Sequence, residues 1–137
     1  MVDVRVIARK LEQIGQYHGE LVAKRTALSR TDYLESTTEQ RAVERMFENA
    51  VQASADLARH VASRAFEYED DSAKGAARVL GRADVLDEET TETLVTAIGF
   101  RNVLAHEYGH VDEEGVFETL QSGLDVYDAF ILPIVTS

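Results

Sequence analysis

Val43-Glu44-Arg45-Met46-Phe47-Glu48-Asn49-Ala50-Val51-Gln52-Ala53-Ser54-Ala55-Asp56-Leu57-Ala58-Arg59-His60-Val61 runs without a proline or a glycine. Its expected buried face, Val43, Met46, Phe47, Ala50, Val51, Ser54, Leu57 and Val61, recurs at three- and four-residue steps, the period of one helix face. Thr37-x-x-Gln40 fits a capping box, so the spacing predicts a helix from about 38 to 66. Asn49, Asp56 and His60 fall on or near the apolar face. Buried polar groups usually satisfy a neighbour, so these three are expected to brace other helices rather than to catalyse. The adjacent Glu44-Arg45 is expected to form an ion pair at the bundle edge, worth little by itself.

Upstream, residues 2 to 29 carry Ile7, Leu11, Ile14, Leu21 and Leu28 on one stripe, widened by Val4, Tyr17 and Val22. Gly15 and Gly19 are candidates for close helix contacts or simple weak points. Ser29 to Leu34 loses the period and is expected to be a short connection. Downstream, Glu67-Tyr68-Glu69-Asp70-Asp71 is an acidic, solvated loop; a cation site there is the lesser expectation. Ser72 caps a short helix through Val79-Leu80, which Gly81 should end. Asp87 caps the next helix, with Glu88 and Glu89 in its positive first turn, and its stripe is Leu94, Val95, Ile98 and Leu104. Gly109 is the expected stop. Asp112 caps a last helix with the stripe Val116, Phe117, Leu120, Leu124, Tyr127, Phe130, Ile131 and Ile134. No segment alternates with the period of a strand. The expected fold is all-α: a single domain over residues 1–137, an up-and-down four-helix bundle with one additional short helix.

The chain has 137 residues, no cysteine and a formal net charge of −11. Disulfides and thiolate metal sites are therefore excluded. No signal-like or membrane-length apolar run occurs, so a cytoplasmic protein without membrane contact is expected. Only Lys10, Lys24 and Lys74 are lysines among 14 basic residues. Such a surface suits high salt, where screening suppresses self-repulsion, and equally suits an ordinary acidic protein. That charge argues against a broadly basic face, and binding of nucleic-acid phosphates would need a local cationic cluster. No Gly-rich phosphate loop is present, and no cofactor is expected.

The chemistry concentrates in Phe100-Arg101-Asn102-Val103-Leu104-Ala105-His106-Glu107-Tyr108-Gly109-His110. As His106-Glu107-x-x-His110 it matches the zinc-hydrolase pattern, two imidazoles one turn apart with a glutamate base. That pattern needs an unbroken helix, which Gly109 and the Asp112 cap oppose, and a third ligand. Glu118 is the nearest substitute, and no strand is present to bind substrate. As Arg101-Asn102-x-x-x-His106-x-Tyr108 it offers a guanidinium, an amide, an imidazole and a phenol. Asn102 and His106 are one helical turn apart, whereas Arg101 and His106 are about 140° apart around the axis. Such a set suits metal-independent phosphodiester cleavage by the RNA's own 2′-OH. His106 would move protons near neutral pH, Arg101 would stabilise phosphoryl oxygens, and Asn102 would orient either. The alternative is structural: Arg101 an exposed helix residue, His106 a cation favoured by the helix C-terminus, Tyr108 a core anchor.

The whole layout resembles the HepT subgroup of HEPN proteins. The resemblance rests on Glu44-Arg45 and Asp56-Leu57-Ala58-x-His60 in the second long helix, then Gly99-Phe100-Arg101-Asn102 with His106-x-Tyr108, then a final amphipathic helix. It spans roughly residues 3 to 135 and implies the toxin half of a toxin–antitoxin pair. It further implies a homodimer whose cleft joins Arg101 and His106, an RNA substrate, and a nucleotidyltransferase antitoxin of the MNT type that transfers AMP to Tyr108. A HEPN module that only binds such a partner remains the second reading. His110 departs from the pattern.

Overall fold

In the computed structural model, residues 3–69, 72–106 and 111–125 are described, with backbone alone for 103–106. Six helices account for most of them: α1 (Val4–Ala27), α2 (Arg30–Leu34), α3 (Thr37–Ala65), α4 (Ala73–Arg82), α5 (Glu88–His106) and α6 (Glu113–Ser122). The all-α expectation holds, and no strand occurs among the described residues. No described helix is long and apolar enough to cross a membrane.

The chain is built around α3. Its stripe of Val43, Phe47, Ala50, Val51, Leu57, Ala58, Val61 and Ala62 is buried, and α1, α4 and α5 pack against it. The buried Ser54 hydroxyl is satisfied by the Ala50 carbonyl one turn back (2.9 Å). Cross-links give the directions. Asp3–His60, Lys10–Asp56 and Lys24–Glu39 descend α3 as they ascend α1, so these two helices are antiparallel. Gly81 meets Thr91 while Lys74 meets Gly99, so α4 and α5 are antiparallel too.

Several local expectations change. The connection at 29–34 is a helix. The Ser29 hydroxyl accepts from the Asp32 amide (3.1 Å) and the Asp32 carboxylate accepts from the Ser29 amide (3.2 Å), a complete capping box. Tyr33, fully buried, anchors α2 against Phe117 of α6, with ring centroids 5.7 Å apart. A second short helix, α2, thus joins the expected short α4. The α3 cap is Ser36, one residue earlier than the capping box at Thr37 and Gln40 suggests: Ser36 accepts from the Glu39 amide (3.2 Å). Gln40 instead donates to the Tyr33 and Leu34 carbonyls (3.2 and 3.1 Å), closing the end of α2.

Gly15 and Gly19 face solvent, with nothing near the space a side chain would fill, and Val4 is 76% exposed rather than part of the stripe. Gly81 does not end α4. It lies inside the helix, where the Thr91 side chain approaches too closely for a Cβ. The helix runs one residue further, to Arg82, and the chain turns left-handed at Asp84 (φ 59°). The Val85 amide then bonds the Leu80 carbonyl and the Asp84 amide the Gly81 carbonyl, a Schellman closure with aspartate in glycine's usual place. The caps at Ser72, Asp87 and Asp112 are as expected; each accepts from a backbone amide three residues on (3.1, 2.7 and 3.1 Å). The last helix is interrupted at Gly123 although Leu124 stays buried. Its expected continuation through Tyr127, Phe130, Ile131 and Ile134 lies outside the described residues.

Glu44 and Arg45 do not pair with each other. Neighbours on a helix point about 100° apart, so each finds a partner one turn along. Arg45 reaches Glu48 (3.3 Å) at the surface. Glu44 is buried at 9% exposure and accepts from Arg41 (2.7 Å). The same Arg41 nitrogen also touches Glu113 (3.3 Å). Burial, followed by the neighbouring Glu113 carboxylate, raises the Glu44 pKa to about 7.

Candidate active site

The site is set by how α5 lies on α3. Phe100 meets Phe47 edge to face, centroids 5.8 Å apart at 83°, which fixes the rotation of α5. The next residue, Arg101, is then turned toward Gln52. Arg101 Nη1 donates to Gln52 Oε1 (2.8 Å), and Gln52 Nε2 donates to Asp56 Oδ1 (2.8 Å). Asp56 also accepts from Arg59 Nη2 at Oδ1 (2.6 Å) and from Lys10 Nζ at Oδ2 (3.2 Å). One carboxylate thus gathers Lys10 from α1, Arg59 from its own helix and, through Gln52, Arg101 from α5. Three cations and one carboxylate thus share a single bonded network, a local cationic cluster within an acidic chain.

Arg101 is half buried. Its Nε is shielded from solvent and has no hydrogen-bond partner among the described residues. A buried guanidinium N–H left unmatched costs on the order of 1–3 kcal/mol, which makes such an atom a candidate for ligand binding. Asn102 follows on the same helix, also half buried, and the α5 backbone is helical through His106. Continuity of the helix keeps Arg101 and His106 about 7.5 Å apart along the axis and about 140° around it. Glu107, Tyr108, Gly109 and His110 lie outside the described residues, and with them the zinc-hydrolase pattern, the expected helix stop and the expected AMP acceptor. No group of three or more metal-ligating side chains occurs among the described residues.

His60, expected to brace a neighbour, does so. Its Nε2 accepts from the Asp3 amide (3.1 Å), fixing the start of α1 on α3. The ring is therefore neutral with its proton on Nδ1, and burial, ahead of the nearby Arg64, lowers its pKa. Gln52 is the residue the sequence does not single out. Its one signal is position: it stands one turn before Asp56, where a Gln–Asp pair can bond along a helix.

The HepT-like ribonuclease family model matches residues 7–134. A tRNA nuclease HepT of Aphanizomenon flos-aquae (strain 2012/KM1/D3) is 30% identical over 133 residues, covering 97% of this chain and 90% of the relative. The chain belongs to the HepT-like ribonuclease family. Its fold recurs in a tri-AMPylated HEPN toxin of Shewanella oneidensis solved in complex with its MNT antitoxin. The TM-score is 0.88 at 19% identity, with both chains fully covered. It recurs also in the cytosolic protein YutE of Bacillus subtilis, of unknown function, at TM-score 0.82 and 17% identity, covering 98% of this chain and 90% of that one. At these identities the structural likenesses speak for the HepT-like fold alone.

Proposed function

We propose that this HepT-like chain is the toxin of a HEPN/MNT toxin–antitoxin pair: a cytoplasmic, metal-independent endoribonuclease that works as a homodimer. The observation that carries the reading is Arg101, held on α5 at the end of a bonded network with Gln52, Asp56, Lys10 and Arg59, with a buried N–H unmatched among the described residues. The relative named a tRNA nuclease makes a structured RNA the first substrate to try.

In the proposed reaction the substrate's 2′-oxygen attacks the adjacent phosphorus. His106 takes the 2′-OH proton, the new O2′–P bond forms and the P–O5′ bond breaks. The departing 5′-oxygen receives a proton from imidazolium, leaving a 2′,3′-cyclic phosphate and a 5′-hydroxyl. Arg101 holds the phosphoryl oxygens as charge builds on them, and Asn102 orients the phosphate or the imidazole. The homodimer rests on the resemblance to HEPN ribonucleases, which bring the residues matched by Arg101 and His106 together in a cleft between two protomers.

Control is proposed to run through Tyr108. Its phenolic oxygen attacks the α-phosphorus of ATP on the nucleotidyltransferase partner; pyrophosphate leaves and the phenolic proton goes to the partner. The added phosphodiester would compete beside Arg101 for the place of the substrate phosphate.

The test is cleavage of tRNA by purified protein in the presence of a chelator. Arg101→Ala and His106→Ala are each expected to lose about 100-fold or more. Undiminished cleavage in both variants would overturn the ribonuclease reading. Cleavage abolished by chelator and restored by Zn²⁺ would move the chemistry to His106, Glu107 and His110. Incubation with the partner and ATP should add adenylyl mass at Tyr108, and modification elsewhere alone would remove that residue's role.

A further inference from the structure

A guanidinium that must meet a phosphate needs an aim as well as a charge. The side chain of Arg101 has four rotatable bonds, and an error of about 1 Å at the reacting group can cost on the order of 100-fold in rate. What fixes it here comes from α3. Asp56 only accepts hydrogen bonds, so the Gln52 amide must turn its NH₂ toward the carboxylate. Its carbonyl oxygen is then left facing Arg101, at 2.8 Å. The amide cannot flip without placing two donors face to face at Arg101 and two acceptors face to face at Asp56. Lys10 and Arg59 in turn hold Asp56 at 3.2 and 2.6 Å, so the orientation is passed inward from two further side chains.

The choice of an amide matters. A carboxylate at position 52 would also accept from the guanidinium, but it could not donate to Asp56 and would offset the charge that a phosphate requires. A neutral acceptor holds without neutralising, and the full negative charge stays one residue away, where two other cations offset it.

We infer that Gln52, oriented by Asp56, is the positioning residue that aims Arg101 at the substrate phosphate. The inference rests on the reading of Arg101 as the phosphate-binding group, and the experiment separates the two. Steady-state RNA cleavage is measured for Gln52→Leu, Gln52→Glu, Asp56→Ala, Arg101→Ala and Lys24→Ala in the full chain. Lys24 makes a comparable ion pair across the same helices, with Glu39 at 2.8 Å, and controls for loss of an α1–α3 link. Gln52→Leu is expected to lower kcat by about 10- to 100-fold with KM within about threefold, as loss of aim predicts. Asp56→Ala should follow in the same direction, and Lys24→Ala should match the wild type. Gln52→Glu keeps an acceptor for Arg101 but loses the donor to Asp56; with the aim loosened and the charge offset, its kcat/KM should fall at least about tenfold.

A readout independent of activity is the Arg101 guanidinium in side-chain ¹⁵N–¹H spectra. Its Nη protons should be resolved in the wild type and averaged by rotation in Gln52→Leu. Wild-type kcat in Gln52→Leu or wild-type kcat/KM in Gln52→Glu, while Arg101→Ala is inactive, would overturn the positioning role alone. Full activity in Arg101→Ala would overturn the phosphate reading and the positioning role with it.

Discussion

Tyr33 and Glu113, eighty residues apart, meet where the phenolic hydroxyl donates to the carboxylate at 2.7 Å beneath Arg41 and Glu44. The bond ties α2 to the start of α6. Burial, followed by the Glu113 carboxylate, pushes the Tyr33 phenol well above its usual range, so it stays protonated and donating.

Tyr33→Phe keeps the ring against Phe117 and removes only that donor. A lost hydrogen bond to a charged group costs about 1.5–3 kcal/mol. In a domain of this size, a melting point lower by roughly 5–10 °C is expected. An unchanged thermal melt would mean that Glu113 is satisfied without Tyr33.

Glu44 sets an opposite kind of dependence. With its folded pKa raised to about 7 from 4.5, the folded state holds a proton that the unfolded chain releases. Its contribution is fully present below about pH 4.5, fades above that, and is lost as pH rises through about 7. Urea midpoints should therefore fall between pH 6 and 8 in the wild type, and that fall should flatten in Glu44→Gln. The same slope in both proteins would assign the proton elsewhere.

His60 works from the acid side. Its folded pKa is lowered by burial, so the unfolded chain takes up the proton first as pH falls. Stability is complete above about 6.5 and declines as pH drops below it toward the folded value. Measured in the Glu44→Gln background, the acid-side loss between pH 6.5 and 5 should disappear in His60→Gln. Persistence of the loss would show that the Asp3–His60 contact is not its source.

Gly81 is tight for a side chain. A Cβ there would stand 2.6 Å from Thr91 Oγ1 and 2.8 Å from Thr91 Cγ2. Gly81→Ala should destabilise by about 1–3 kcal/mol despite the better helix propensity of alanine. Thr91→Ala removes both atoms, and in that background Gly81→Ala should turn neutral or stabilising. Equal effects in the two backgrounds would place the clash elsewhere.

The long helices were legible because each has to bury a stripe, and the caps at Ser72, Asp87 and Asp112 are local chemistry written in a few residues. The misread parts were decided by distant partners. Ser29 to Leu34 is too short to display a period, and α2 exists because Tyr33 reaches Phe117 and Glu113. Gly123 was hidden because Val116, Phe117, Leu120 and Leu124 keep helical spacing across the break. At the candidate site, Arg101 and Asn102 stood out by chemistry and Asp56 by its place near an apolar face. Gln52 did not, since an amide on a helix gives no sign of what lies across the groove.

The placement of the Arg101 holder has a consequence for synthesis. Lys10, Gln52, Asp56 and Arg59 all precede Arg101 by more than forty residues, and α1 and α3 can close as a hairpin once residue 65 has cleared the ribosome. The residues of the seat leave the ribosome before the guanidinium that occupies it. If Arg101 serves as proposed, a growing chain carries its socket outside the ribosome while the cutting group is still inside it. A nuclease made on an RNA template among charged tRNAs then stays inert until translation is nearly done.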